Sequence, residues 1–153
     1  MGLKETLRAD LTTAMKARDT VTASTIRMIM TAISNEEVAG KAARVLNENE
    51  MITVLTREMK RRREAAEAFE AAGRSDKAAE EKAEGDVIAR YLPAQMSEAE
   101  IKALIAQTIA KVGASTPADM GKVMGAIKGE VAGKADGALV SSLVKEALAG
   151  GQS

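Results

Sequence analysis

The 153-residue chain contains no cysteine, no histidine and no tryptophan, and Phe69 and Tyr91 are its only aromatic residues. Without cysteine there is no disulfide framework and no thiolate nucleophile. Without histidine the commonest general base and the commonest metal ligand are missing. Two aromatic rings cannot support base stacking as a main mode of RNA recognition, which leaves backbone contact and shape. No apolar run approaches the roughly 18 residues needed to cross a bilayer, so no membrane association is expected. The first residues, Met1 to Leu7, have no signal-peptide core, and Met1-Gly2 with Thr6 is only a short match to a myristoylation pattern. The expected location is the cytoplasm. An excess of either charge is also missing: 22 basic and 22 acidic residues balance at a pI near 6.4. Any nucleic-acid contact must therefore use a local patch.

What is abundant is helix-forming apolar content. The apolar share is 46%, carried by Ala, Leu, Val, Ile and Met, and a chain of this length can bury roughly 70% of its unfolded surface. Leu3, Leu7, Leu11 and Met15 recur at steps of four, and Ile26, Met30 and Ile33 mark a second helix that starts near Asp19. Gly40 to Arg44 reads as a connection. Asn47 with Glu50 forms a capping box for a third helix through Ile52, Leu55, Met59, Ala66 and Phe69 to a stop at Gly73. Ser75 is expected to cap a fourth helix, which makes residues 47–90 an antiparallel hairpin. Pro93 ends this half, with Tyr91 to Met96 as linker. Ser97 and Glu100 open a fifth helix that stops at Gly113. Thr116 is expected to cap a sixth with Pro117 in its first position, and a seventh begins near Asp136. Gly150 to Ser153 is expected to fray. The fold class expected is all-α: a four-helix N-terminal lobe, residues 1–92, with a long helical hairpin, and a small three-helix C-terminal lobe, residues 97–150.

Two segments stand out chemically. Between Asp119 and Gly137, glycines recur every four residues at 121, 125, 129, 133 and 137. Each glycine inside a helix costs roughly 1 kcal/mol relative to alanine, and this chain otherwise uses alanine freely. At about 100° per residue, Gly121, Gly125 and Lys128 share a face. One reading is close approach of a phosphate-bearing ligand to bare backbone, with Lys122, Lys128 and Lys134 supplying charge. The other is tight helix–helix packing with a helix stop at Gly129 or Gly133. The second segment, Arg57 to Arg63, holds five cations and Glu58. Arg57, Lys60, Arg61 and Arg63 could track a phosphate backbone. Equally, the run could be a solvated face neutralised by Glu58–Arg62, Lys60–Glu64 and Arg63–Glu67 pairs. Arg62 falls on the apolar stripe, where its stem would cover the partner helix or mark the hairpin's exit from the core. No nucleophile–base pair, phosphate loop or metal-ligand set is evident, so no catalytic residue, cofactor or metal is expected.

Several segments, in order along nearly the whole chain, resemble the GatB/YqeY family and its free-standing YqeY-like proteins. They are Leu3-Lys4-Glu5 through Asp10-Leu11; Ala14 to Asp19; Ile26-Arg27-Met28; Lys60 to Ala65; Phe69 to Arg74; Tyr91-Leu92-Pro93; Met120 to Gly125; and Gly133 to Gly137. The resemblance implies two all-α lobes. It also implies that the C-terminal one is similar to the tail domain of the B subunit of the tRNA-dependent amidotransferase, which engages tRNA without carrying the amide-transfer chemistry. By position, the tail-domain motif falls on Gly121, Lys122, Met124, Gly125, Lys128, Gly133, Lys134 and Ala135. The family label of carbon–nitrogen ligase activity with glutamine as amido-N-donor follows from the same resemblance, although the kinase-like catalytic part of that subunit is missing here. Expected partners are tRNA and aminoacyl-tRNA synthetase or amidotransferase proteins. The rival reading is a protein–protein adaptor docking through the hairpin.

Overall fold

The computed structural model describes residues 2–150. Residues 151–153 of the segment expected to fray lie outside the described residues. Among those described, seven α-helices and one 3-10 turn account for all regular structure. The chain divides into two compact units, Met1–Leu92 and Pro93–Ser153, each with its own core.

The first unit consists of α1 (Leu3–Lys16), α2 (Thr20–Glu37), α3 (Glu48–Ala71) and α4 (Ser75–Ala89). Leu7, Ile26, Ile29, Ile33, Leu46, Met51, Val54, Leu55, Val87 and Ile88 form its core. Full burial of each Leu or Ile contributes about 1.5–3 kcal/mol. Asp19 starts α2 by accepting hydrogen bonds from the Thr22 N–H at 3.1 Å and the Thr22 hydroxyl at 2.7 Å. The Asn47–Glu50 capping box starts α3. α3 and α4 pack as an antiparallel hairpin with Ala66 and Ala78 buried, because small side chains let the two backbones approach. Gly73 turns the chain with φ +75°. Ser75 is the first residue of α4 and does not cap it; Arg74 holds the cap position without a side-chain cap bond. The reason is the tightness of the turn. The Arg74 N–H already bonds the Phe69 carbonyl at 2.8 Å, so the chain passes from helix stop to helix start with no residue to spare. The Tyr91 hydroxyl donates to Asp10 at 2.6 Å, fastening the end of the unit to α1.

The second unit contains α5 (Glu98–Val112), the 3-10 turn Pro117–Asp119, α6 (Met120–Val131) and α7 (Gly137–Gly150). Its core comprises Ile101, Ile105, Val123, Ile127, Val131, Val140, Leu143, Val144 and Leu148. Ser97 and Glu100 cap α5 reciprocally. Pro117 opens the 3-10 turn and not α6 itself. The Asp119 carboxylate accepts from the Ser115 and Thr116 N–H groups at 2.8 and 3.2 Å, and the Asp119 N–H donates to the Thr116 carbonyl at 2.9 Å. These bonds tighten the entry to three residues per turn before the α-helix begins.

Candidate functional site

α6 has two unlike faces. Val123, Ile127 and Val131 are buried against the second unit's core. At about 100° per residue, Gly121, Gly125 and Gly129 fall on the opposite side, and all three are exposed. A Cβ built on any of them meets nothing within 4 Å. Helix–helix packing within this chain therefore does not explain these glycines. Lys128 borders the glycine strip on one side and Lys122 on the other, both exposed. The product is about two turns of helix backbone open to approach, with an ammonium group at each edge.

Gly133 and Lys134 lie beyond this strip, in the turn that follows α6. Gly133 has φ +73°, the left-handed geometry of a helix stop. Its carbonyl accepts from the Gln95 side-chain amide at 2.8 Å, and the Lys134 carbonyl accepts from the Met96 N–H at 2.8 Å. The segment before α5 is thereby tied to this turn, and the exposed Lys134 side chain projects from it. Among the described residues, Lys122, Lys128 and Lys134 form no ion pair.

Three acids, Asp119, Glu130 and Asp136, offset these lysines in the sequence, and two of them are engaged by backbone. The N–H groups of Ser115 and Thr116, with the charge of Lys122, hold the Asp119 carboxyl below the usual range. Asp136 accepts from the Leu139 N–H at 2.9 Å in the first turn of α7. Both carboxylates sit where amide N–H groups already favour a negative charge. Exposed Glu130 is the remaining acid.

The basic run on α3 is arranged differently. Arg57 pairs with Glu36 of α2 at 3.4 Å, Arg61 with Glu58 at 2.9 Å, and Arg63 with Glu67 at 3.8 Å. Arg62 lays its stem over α4, with its Cβ facing Gly85. Its guanidinium meets Glu84 at 3.0 Å, Glu81 at 3.7 Å and Glu58 at 3.8 Å. Burial first, then the neighbouring Glu81 charge, raises the Glu84 carboxyl above its ordinary range, against the pull of Arg62. The expected Lys60–Glu64 pair does not form among the described residues, and Lys60 is the exposed cation of the run left without an ion pair. Between α2 and α3 lies a groove of about 510 Å³, lined by apolar Met28, Ala32 and Val54 and by charged Arg57, Glu58 and Arg61.

Besides Arg90 at the end of α4, the arginines of this unit without an ion pair among the described residues stand around the α1–α2 turn: Arg8, Arg18 and Arg27, with Lys16. They come from three stretches of sequence and form no charge run, so composition windows pass over them. A usable signal was present nonetheless: neither Arg18 nor Arg27 has an acidic residue three or four positions away. Among the described residues there is no group of three or more Asp or Glu able to hold a metal ion, and no helix is long and apolar enough to cross a membrane.

Comparison with known proteins adds two findings. The family model described as Yqey-like protein matches residues 4–148. Two fungal proteins, both named "Altered inheritance of mitochondria protein 41, mitochondrial", are similar to the chain. The one from Clavispora lusitaniae is 31% identical over 116 residues, covering 74% of this chain and 66% of its own length. The one from Candida glabrata is 32% identical over 87 residues, covering 57% and 48%. The chain thus spans between about half and two thirds of these relatives.

Proposed function

We propose, from the premise that this chain belongs to the YqeY-like protein family, that it is a tRNA-associated accessory protein of the aminoacylation and amidotransferase machinery. In this reading, amide transfer with glutamine as donor is the work of a partner enzyme, and this chain supplies contact with the RNA. The cytoplasm is its proposed compartment. The observation that carries the proposal is the outer face of α6, where three exposed glycines have open space in place of side chains and flanking lysines have no ion-pair partner. Bare helix backbone lets a sugar–phosphate chain come close, and lysines at its edges meet phosphates as point charges. Recognition of this kind needs no aromatic platform, which this chain does not have.

The test is a gel-shift titration of bulk tRNA with the full chain and the Lys122→Glu/Lys128→Glu/Lys134→Glu triple variant. We expect salt-sensitive binding by the native chain and its loss in a triple variant that stays folded by circular dichroism. Equal affinity of the two proteins overturns the role of this face.

The α2–α3 groove supports a second reading, a protein–protein adaptor that docks through the hairpin. Its mixed lining, part apolar and part ion-paired, suits a protein segment better than a phosphate chain. Crosslinking from position 57 after nuclease treatment should then join a defined peptide of a synthetase or amidotransferase. Crosslinks that vanish with nuclease count against it.

A further inference from the structure

The turn between α1 and α2 uses an arginine where the same chain elsewhere uses glycine. The Arg18 N–H bonds the Met15 carbonyl at 3.2 Å and the Asp19 N–H bonds the Ala14 carbonyl at 2.9 Å, the paired bonds of a Schellman helix stop. After α3 the same pairing places Gly73 at the left-handed position, and Gly113 holds that position after α5. Here the residue is Arg18, at φ +57°. Left-handed backbone is unfavourable for any residue with a Cβ, and strain of this kind points toward use of the side chain.

The elements that meet at this turn carry further cations. An Arg27 guanidinium nitrogen lies 3.5 Å from the sulfur of Met15, and Met15 is 53% exposed. Arg8 is two turns back from Met15 on the same face of α1, and Lys16 follows Met15 directly. All four cations are exposed, and none is ion-paired among the described residues. The acids nearby are committed. Asp19 accepts from Thr22 twice and also faces Arg90. Asp10 accepts from Tyr91, and Glu5 accepts from the Gly2 N–H. The methionine sulfur is a weak acceptor that leaves most of the five guanidinium N–H donors of Arg27 free.

We infer that the α1–α2 corner, formed by Arg8, Lys16, Arg18 and Arg27, is a second RNA-contact surface that grips backbone phosphates. Three of the four cations are arginines, whose planar fork binds phosphate oxygens in pairs. The ligand class rests on the RNA reading above, while the evidence comes from residues in the other unit of the chain.

The experiment measures fluorescence polarisation of labelled bulk tRNA against the full chain over a range of salt concentrations. Arg18→Gly should relieve the backbone strain and raise Tm by roughly 2–4 °C. The same change should weaken binding about fivefold and flatten the salt dependence by about one phosphate contact. Arg18→Gly combined with Arg27→Gln should weaken binding by about tenfold or more. A Tm that falls, or affinity unchanged in both variants, overturns the inference. Displacement of the tRNA by poly-glutamate as effectively as by unlabelled tRNA also overturns it, because the surface then takes acidic protein. The α6 triple-lysine variant, measured in parallel, separates the two sites: its normal binding alongside weakened corner variants removes the α6 face and leaves the corner standing.

Discussion

α3 places five cations in seven residues, whereas α6 carries two lysines in twelve. The denser helix nevertheless offers less charge to a ligand. Its arginines are bound to Glu36, Glu58, Glu67, Glu81 and Glu84, while the lysines of α6 stand at the edges of a strip with no side chains at all. Local density of positive residues measures what a helix has to neutralise as much as what it can present. The same lesson holds inside the first unit, where Arg8, Arg18 and Arg27 near the α1–α2 turn are without ion pairs among the described residues, unlike the arginines of the run that first draws the eye.

The sharpest way to break this comparison is Arg62→Met, which keeps the apolar stem and removes the charge. Glu81 and Glu84, whose side chains are 21% and 33% exposed, would lose their partner, while the 9% exposed Glu58 would keep only Arg61. Stripping one partner from a fully buried pair costs about 3–5 kcal/mol, and partial exposure lowers this to about 2 kcal/mol. Urea denaturation at neutral pH should show the loss. The loss should shrink on acidification, as protonation of Glu84, whose carboxyl burial already raises, relieves the stranded charge. A matching Lys128→Met change on α6 should move stability by less than about 0.5 kcal/mol. If the two variants lose equal stability, the contrast between paired and unpaired cations is wrong.

Gly125→Ala probes the other side of the comparison. The added methyl meets open space, so the variant should gain about 1 kcal/mol from helix propensity alone, read as a rise in Tm. Gly125→Leu should also fold, yet it should lose tRNA affinity because its side chain covers the backbone. Destabilisation by alanine would mean that the strip is packed against something.

The smallest effect belongs to Glu84→Gln. Because the Glu84 carboxyl is raised in the folded protein, its contribution is fully present below the ordinary carboxylate value, about 4.3, and is lost as pH rises through the folded value. Glutamine removes that titration. The stability difference between variant and native chain should therefore favour the variant at pH 7 by less than about 0.5 kcal/mol and fade by about pH 4. A difference that does not change with pH would remove carboxylate crowding as the cause.

Much of the fold was legible because helix signals are local. The steps of four from Leu3 to Leu11, the Asn47–Glu50 and Ser97–Glu100 boxes, and the stops at Gly73 and Gly113 are each set by a few turns of chain, and all appear in the structure, whereas Met15, the last step of the first stripe, is 53% exposed because α1 ends there beyond the core. Where the reading slipped, at Ser75 and Pro117, the deciding bonds belonged to the neighbouring turn: Phe69 to Arg74 in one case, Asp119 to Ser115 in the other. The bare strip on α6 was visible as a glycine period, but two outcomes shared that period.

The sequence alone determined that this chain is helical, where most helices start and stop, and that it lacks the residues for cysteine or histidine chemistry. These properties depend on residue type and on spacing within a few positions. Only tertiary structure decided which glycines face open space, which arginines are spent on glutamates of a neighbouring helix, and that Arg18 takes a glycine's left-handed place while Arg27 reaches Met15. Exposure and ion pairing depend on distances between segments far apart in the chain, and the spacing of letters along one helix carries no record of them.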